Sequence, residues 1–123
     1  MRYLIDTNVL IDHLRGDLKV TRFLNKVERG EVIAFMSVIT EYEILCGKFL
    51  PKAGREISKL LLIFPSLNIT SEIAGIAAKF YKKYQLGIAD ALIAATAISF
   101  NCVLITRNIK HFQKIKEIKV KTI

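Results

Sequence analysis

RYLIDTNVLIDHL, residues 2–14, decides how the rest of the chain is read. Its first four residues form a short, largely apolar run with strand character, and the next three, Asp6, Thr7 and Asn8, are a polar break. Val9, Leu10, Ile11 and Leu14 then recur at helical spacing. A strand that ends at an acid and passes directly into a helix predicts an α/β fold, in which ligands are taken at the carboxyl ends of the strands.

Outward from this stretch the same alternation continues. Gly16 closes the first helix, residues 18–27 carry Val20, Phe23, Leu24 and Val27 on one helical stripe, and Gly30 ends them. Residues 32–36 read as the next strand. Ser37 caps a helix carrying Ile39, Tyr42, Cys46 and Phe49, with Gly47 and Pro51 marking its end and a restart. A further helix runs to about Phe64. Beyond Pro65 and Ser66 a short strand is expected over 67–69, and Thr70-Ser71-Glu72 caps a helix through Ile73, Ile76, Ala77 and Phe80 that stops at Gly87. Residues 90–100 make a helix that is apolar almost all round, as a buried central element would be. Strands are expected over 103–106 and, at an edge, over 118–120. The pattern predicts one α/β domain over residues 1–123, with a central parallel sheet flanked by helices in three layers.

A chain of 123 residues with 52% hydrophobic content suffices for one core and one active site. Cys46 and Cys102 belong to no metal-ligand spacing and read as two buried, reduced thiols. The apolar start over 1–5 is too short for a signal sequence, and Asp90, Thr96, Ser99 and Asn101 interrupt the one stretch resembling a membrane span. A soluble, cytoplasmic protein with no membrane contact is expected. Its net charge of +8 favours a polyanionic partner, nucleic acid first.

Of the 11 acids, Asp17, Glu28, Glu31, Glu56, Glu72 and Glu117 fall at helix ends or in polar stretches and read as solvated. Asp12 reads as a solvent-facing acid late in the first helix. Asp6 and Asp90 are different. Capping accounts for either one alone, but two acids brought to one edge of an α/β sheet repel unless a cation lies between them. A hard cation such as Mg²⁺ binds one or two carboxylates with water and phosphate oxygens, so a basic protein carrying this pair points to phosphodiester hydrolysis. Glu41 and Glu43 stand at opposite margins of the stripe Val38, Ile39, Tyr42 and Leu45, so the helical wheel does not choose between them. His13 and His111 read as isolated surface residues.

Four motifs in order, LIDTNVLID (4–12), SVITEYEILCG (37–47), IADALIAATA (88–97) and LITRNIKHF (104–112), make nearly the whole chain resemble the PIN-domain nucleases, in particular the VapC-type toxins. The resemblance implies a PIN-like fold and an endoribonuclease dependent on Mg²⁺ or Mn²⁺ that leaves 5′-phosphates. It implies that Asp6, Glu43 and Asp90 hold the metal, with Glu43 preferred to Glu41, which becomes a surface residue. Thr7 and Asn8 match the family's turn after the first acid, and Thr106 a hydroxyl near the site. Asn108 falls among the catalytic positions where many relatives carry a fourth acid, and His111 where an aspartate often stands, which argues against a full two-metal site. Arg107 and Arg15 are placed to steer an RNA backbone, and Lys52, Arg55 and Lys59 form a basic stripe at helical spacing. A cognate antitoxin and a homodimer are the partners implied.

Two other classes fit parts of the pattern. A haloacid-dehalogenase-like phosphatase wants a second acid two residues after the first, where this chain has Asn8. A PIN fold kept as an RNA- or protein-binding module without catalysis is the non-enzymatic alternative, and Asn108 is the residue that favours it.

Overall fold

Leu4 and Ile5, adjacent in one strand, face opposite ways, and that alternation divides the interior into two cores. The computed structural model describes residues 1–46 and 54–123. In chain order the elements are β1 (Arg2–Ile5), α1 (Thr7–Leu14), α2 (Leu18–Glu28), β2 (Ile33–Ser37), α3 (Val38–Leu45), α4 (Gly54–Ile63), β3 (Ser66–Leu67), α5 (Ser71–Tyr84), α6 (Ile88–Ser99), β4 (Val103–Ile105), α7 (Ile109–Phe112) and β5 (Val120–Lys121). The expectations at Gly47, Phe49, Pro51 and Lys52 lie outside the described residues.

The five strands form one parallel sheet in the order β3-β2-β1-β4-β5. On one face Leu4 and Leu104 pack with Ile73, Ala77 and Phe80 of α5, Ala94 and Ala97 of α6, and Phe112 of α7. On the other, Ile5 and Ile105 meet Val9 and Leu10 of α1, Val20 and Leu24 of α2, and Leu60 of α4. This is the three-layer α/β arrangement expected from the sequence. α6 is the buried central helix its composition predicted, with Ala91 and the unbroken run Ile93 to Ala97 all buried. α3 contributes Ile39 to the first core and Ile44 to the second, so it spans the margin between them.

The caps follow the local chemistry. Ser37 and Thr70 each accept from the backbone N–H three residues on, and Gly16 and Gly30, at φ +93 and +77, supply the left-handed turns that end α1 and α2. Four expectations need correction. Gly87 does not stop α5: Gln85, at φ 54, does so two residues earlier, and Gly87 is the N-cap of α6. α6 therefore begins at Ile88, and Asp90 lies inside its first turn. The stripe of α3 is not its buried face, because Tyr42 and Leu45 are 67% and 58% exposed while Thr40 and Ile44 are buried. Cys46, one turn beyond Tyr42 on that outer side, is exposed, and only Cys102 is buried. Finally, α7 forms where no helix was predicted. No helix among the described residues is long and apolar enough to cross a membrane.

Candidate metal centre

From β1 the chain crosses to β2 on one side, and later reaches β4 on the other, which makes the carboxyl ends of β1 and β4 the point where the sheet's winding reverses. Folds of this kind leave a crevice there. Asp6 follows β1 and Thr106 follows β4, and the Asp6 backbone N–H donates to the Ile105 carbonyl at 2.9 Å. The Asp6 side chain is the N-cap of α1, accepting from the Thr7 N–H at Oδ1 (2.8 Å) and from the Thr106 hydroxyl at Oδ2 (2.7 Å). Capping and site placement are thus combined in one residue.

Glu43 arrives from α3. The Thr7 hydroxyl donates to Glu43 Oε1 at 2.7 Å and lies 3.0 Å from the Thr40 hydroxyl. Thr7 therefore links the first acid, through its backbone, to the second, through its side chain. Six polar or charged side chains are buried among the described residues, and five of them, Asp6, Thr7, Ser37, Thr40 and Thr106, belong to this network. Buried polar groups are costly unless paired, so their concentration at one edge of an apolar fold marks a site. Asn8 is exposed on the first turn of α1.

Asp90 reaches the same region from α6, half-buried, and makes its contact with His111, whose Nδ1 is 3.3 Å from Asp90 Oδ2. The Asn108 backbone N–H donates to the Thr106 hydroxyl at 2.9 Å, and its side-chain amide lies 2.8 Å from the same His111 nitrogen. A continuous chain of contacts thus runs from Glu43 through Thr7, Asp6, Thr106, Asn108 and His111 to Asp90. His111 reads as an isolated surface residue, although the resemblance sets it where an aspartate often stands; its contacts with Asn108 and Asp90 are what sequence reasoning missed. Their signal was the i, i+3 spacing from Asn108 beside the buried Phe112, which is one turn of helix.

Other residues sit differently from expectation. The Arg107 guanidinium is 2.9 Å from Asp17 Oδ2 and 3.8 Å from Asp12 Oδ2, so it clamps the α1–α2 corner, and Asp12 is an ion-pair partner, not a freely solvated acid. His13 is half-buried with its ring on the Thr21 hydroxyl, and burial holds its pKa below the usual histidine value. Arg15, Arg55 and Lys59 are exposed. Glu41 is half-buried on the other flank of α3 from Glu43.

Burial pushes the Asp6 carboxyl above the ordinary aspartate pKa; the Thr106 and Thr7 hydrogen bonds oppose this, and the negative charges of Asp90 and Glu43 add to the rise. None of the Lys and Arg ion pairs among the described residues reaches Asp6, Glu43 or Asp90. An acid buried beside two others, with no lysine or arginine paired to any of the three among the described residues, suits a bound cation. Among the described residues no three His, Cys, Asp or Glu side chains converge closely enough to enclose an ion by themselves. A carboxylate accepts at about four positions, however, and the two bonds to Asp6 occupy half of them. The donor set therefore fits a hard divalent cation that keeps several of its waters, as Mg²⁺ does.

Thr106, fully buried, is the hinge of the network. Thr106→Val would strip Asp6 Oδ2 of its donor and the Asn108 N–H of its acceptor together, so it is expected to destabilise the fold by about 2 kcal/mol, measured by urea denaturation. A loss no larger than that of an exposed threonine would show that water replaces both bonds.

A family model described as the PIN domain matches residues 3–118. The chain is 33% identical over 118 residues to the ribonuclease VapC19 of Mycobacterium tuberculosis, spanning 89% of this chain and 90% of that one. It is likewise 33% identical over 125 residues to the ribonuclease VapC1 of Methanocaldococcus jannaschii, spanning 98% of this chain and 85% of that one. Among solved structures, a toxin-antitoxin complex from Klebsiella pneumoniae superimposes with a TM-score of 0.81 at 31% identity, covering 98% of this chain and 96% of that one. The chain belongs to the PIN-domain family, among the VapC ribonucleases.

Proposed function

We propose that residues 1–123 act as one PIN-type nuclease domain, a cytoplasmic endoribonuclease that hydrolyses RNA phosphodiester bonds and is held in check by an antitoxin. The observation that carries the reading is the buried Asp6 carboxylate at the reversal point of the sheet, oriented by Thr7 and Thr106 and raised in pKa by its burial, with the charges of Asp90 and Glu43 adding to the rise. The names of the relatives and of the Klebsiella complex support the ribonuclease and antitoxin parts of it.

In this reading Asp6, Glu43 and Asp90 hold the divalent cation, Mg²⁺ or Mn²⁺. The bound ion supplies neutralisation of the attacked phosphate and activation of a water. Thr106 and the Thr7 N–H keep both Asp6 oxygens oriented, and the Thr7 hydroxyl does the same for Glu43. Asn108 works through its contacts to Thr106 and His111 and adds no charge of its own. Arg107, already shared by Asp12 and Asp17, braces the rim, and Asn8 and the exposed Arg15, Arg55 and Lys59 remain available to RNA phosphates.

Exposed apolar side chains, among them Leu18, Tyr42, Leu45, Leu62 and Ile88, offer surface to a second copy and to an antitoxin. The purified protein should cleave RNA with Mg²⁺ or Mn²⁺, stop on chelation, and scatter light as a dimer. Metal-saturated protein that binds RNA without cutting it would instead make this a binding module.

A further inference from the structure

α7 is a single turn, anchored by the fully buried Phe112 and preceded by Asn108 at the N-cap. Asparagine is a preferred N-cap because its side-chain oxygen can accept from the N–H groups of the first turn. Asn108 makes no such bond; its amide is spent on His111 Nδ1, which stands 3.3 Å from Asp90 Oδ2. Asn108 and Asp90 thus meet at one ring atom, His111 Nδ1, which lies between the amide and the acid.

The hydrogen of the ring can be assigned from these two contacts. A bare Nδ1 would set a lone pair against a carboxylate oxygen, which is repulsive, so Nδ1 carries the hydrogen and donates it to Asp90. A half-turn of the Asn108 amide brings its oxygen to the same nitrogen, so that the single Nδ1 hydrogen is shared between this oxygen and the Asp90 carboxylate. Each of the three site acids then has a donor outside the Lys and Arg ion pairs: Thr106 and the Thr7 backbone for Asp6, the Thr7 hydroxyl for Glu43, and His111 for Asp90. At Glu43 and Asp90 the donor meets one carboxylate oxygen and leaves the other for a cation, while Asp6, held at both oxygens, keeps a further accepting position on each.

We infer that His111, held by Asn108, is a positioning residue that orients the Asp90 carboxylate for divalent-cation binding, an inference that rests on the nuclease reading above. His111 is exposed at the surface, so its replacement should not disturb the core.

The test is calorimetric titration of the metal-free protein with Mn²⁺, comparing wild type with His111→Ala, His111→Asn and Asp90→Asn. His111→Ala should weaken Mn²⁺ binding about tenfold, and His111→Asn, whose amide N–H can occupy the place of Nδ1, should recover it to within about threefold. The melting temperature of both metal-free His111 variants should match wild type. If His111→Ala binds as wild type does while Asp90→Asn does not, the inference falls and the nuclease reading stands. Equal losses for Ala and Asn would also overturn it, because the N–H would then be irrelevant. If wild type binds no divalent cation and cuts no RNA, both readings fall together.

Discussion

Asp6→Asn should abolish metal-dependent RNA cleavage while raising the melting temperature of the metal-free protein by a few degrees. The loss of activity follows from removing a negative charge at the proposed cation site, and a fall of roughly a thousandfold corresponds to about 4 kcal/mol of transition-state stabilisation. The gain in stability follows from the same charge. Asp6 is 4% exposed and lies near two other acids, so its anion is disfavoured by burial and by repulsion. Asparagine keeps the acceptor for the Thr7 N–H and offers its amino group to the Thr106 oxygen, so the cap survives.

The pH dependence has a definite sign. Because the Asp6 pKa is raised in the folded state, the native protein holds this proton more tightly than the unfolded chain does. The cost of the anion is then absent below about pH 4, where an unfolded aspartate is also protonated, and grows as pH rises through the shifted value. The advantage of Asp6→Asn should accordingly vanish in acid and open toward neutrality, and saturating Mn²⁺ should reverse it by stabilising wild type alone. Scanning calorimetry at several pH values, with and without metal, measures this. An Asn variant that still cuts RNA at the wild-type rate would remove Asp6 from the centre.

Glu43→Ala and Glu41→Ala should differ by at least roughly a hundredfold in cleavage rate, as expected when one removes a carboxylate from a cation site and the other does not. Glu43 is tied to the Thr7 hydroxyl at 2.7 Å, next to the Asp6 cap, while Glu41 lies on the far flank of the same helix. Glu41→Ala should stay within about threefold of wild type, a difference of under 1 kcal/mol in barrier. Steady-state cleavage of one labelled RNA by the two variants decides it. Equal losses would mean that α3 offers both glutamates to substrate or metal, and the site would have to be redrawn around the helix end.

What the chain determines locally is legible in the sequence alone. The strand that ends at Asp6, the serine and threonine caps at Ser37 and Thr70, the glycines that end α1 and α2, and the all-round apolar α6 are each set by a few neighbouring residues. From the alternation of strands and helices followed the parallel sheet; the meeting of Asp6 with Thr106 depends on the strand order, which sets β1 beside β4.

The choice of Glu43 is of another kind. With Thr40 and Ile44 as the buried face of α3, a wheel at about 100° per residue puts Glu41 and Glu43 about 80° to either side of it, so even the correct face leaves them equivalent. The approach of Thr7, 36 residues away, ties Glu43 to the Asp6 network. The same holds for His111, an unremarkable exposed side chain in the sequence that the packing of α7 sets against Asp90, 21 residues distant. It holds as well for Arg107, whose partner Asp17 lies 90 residues earlier. Periodicity reports which way a side chain points from its own element; which group it meets there depends on the element packed opposite, and only the tertiary structure decides that.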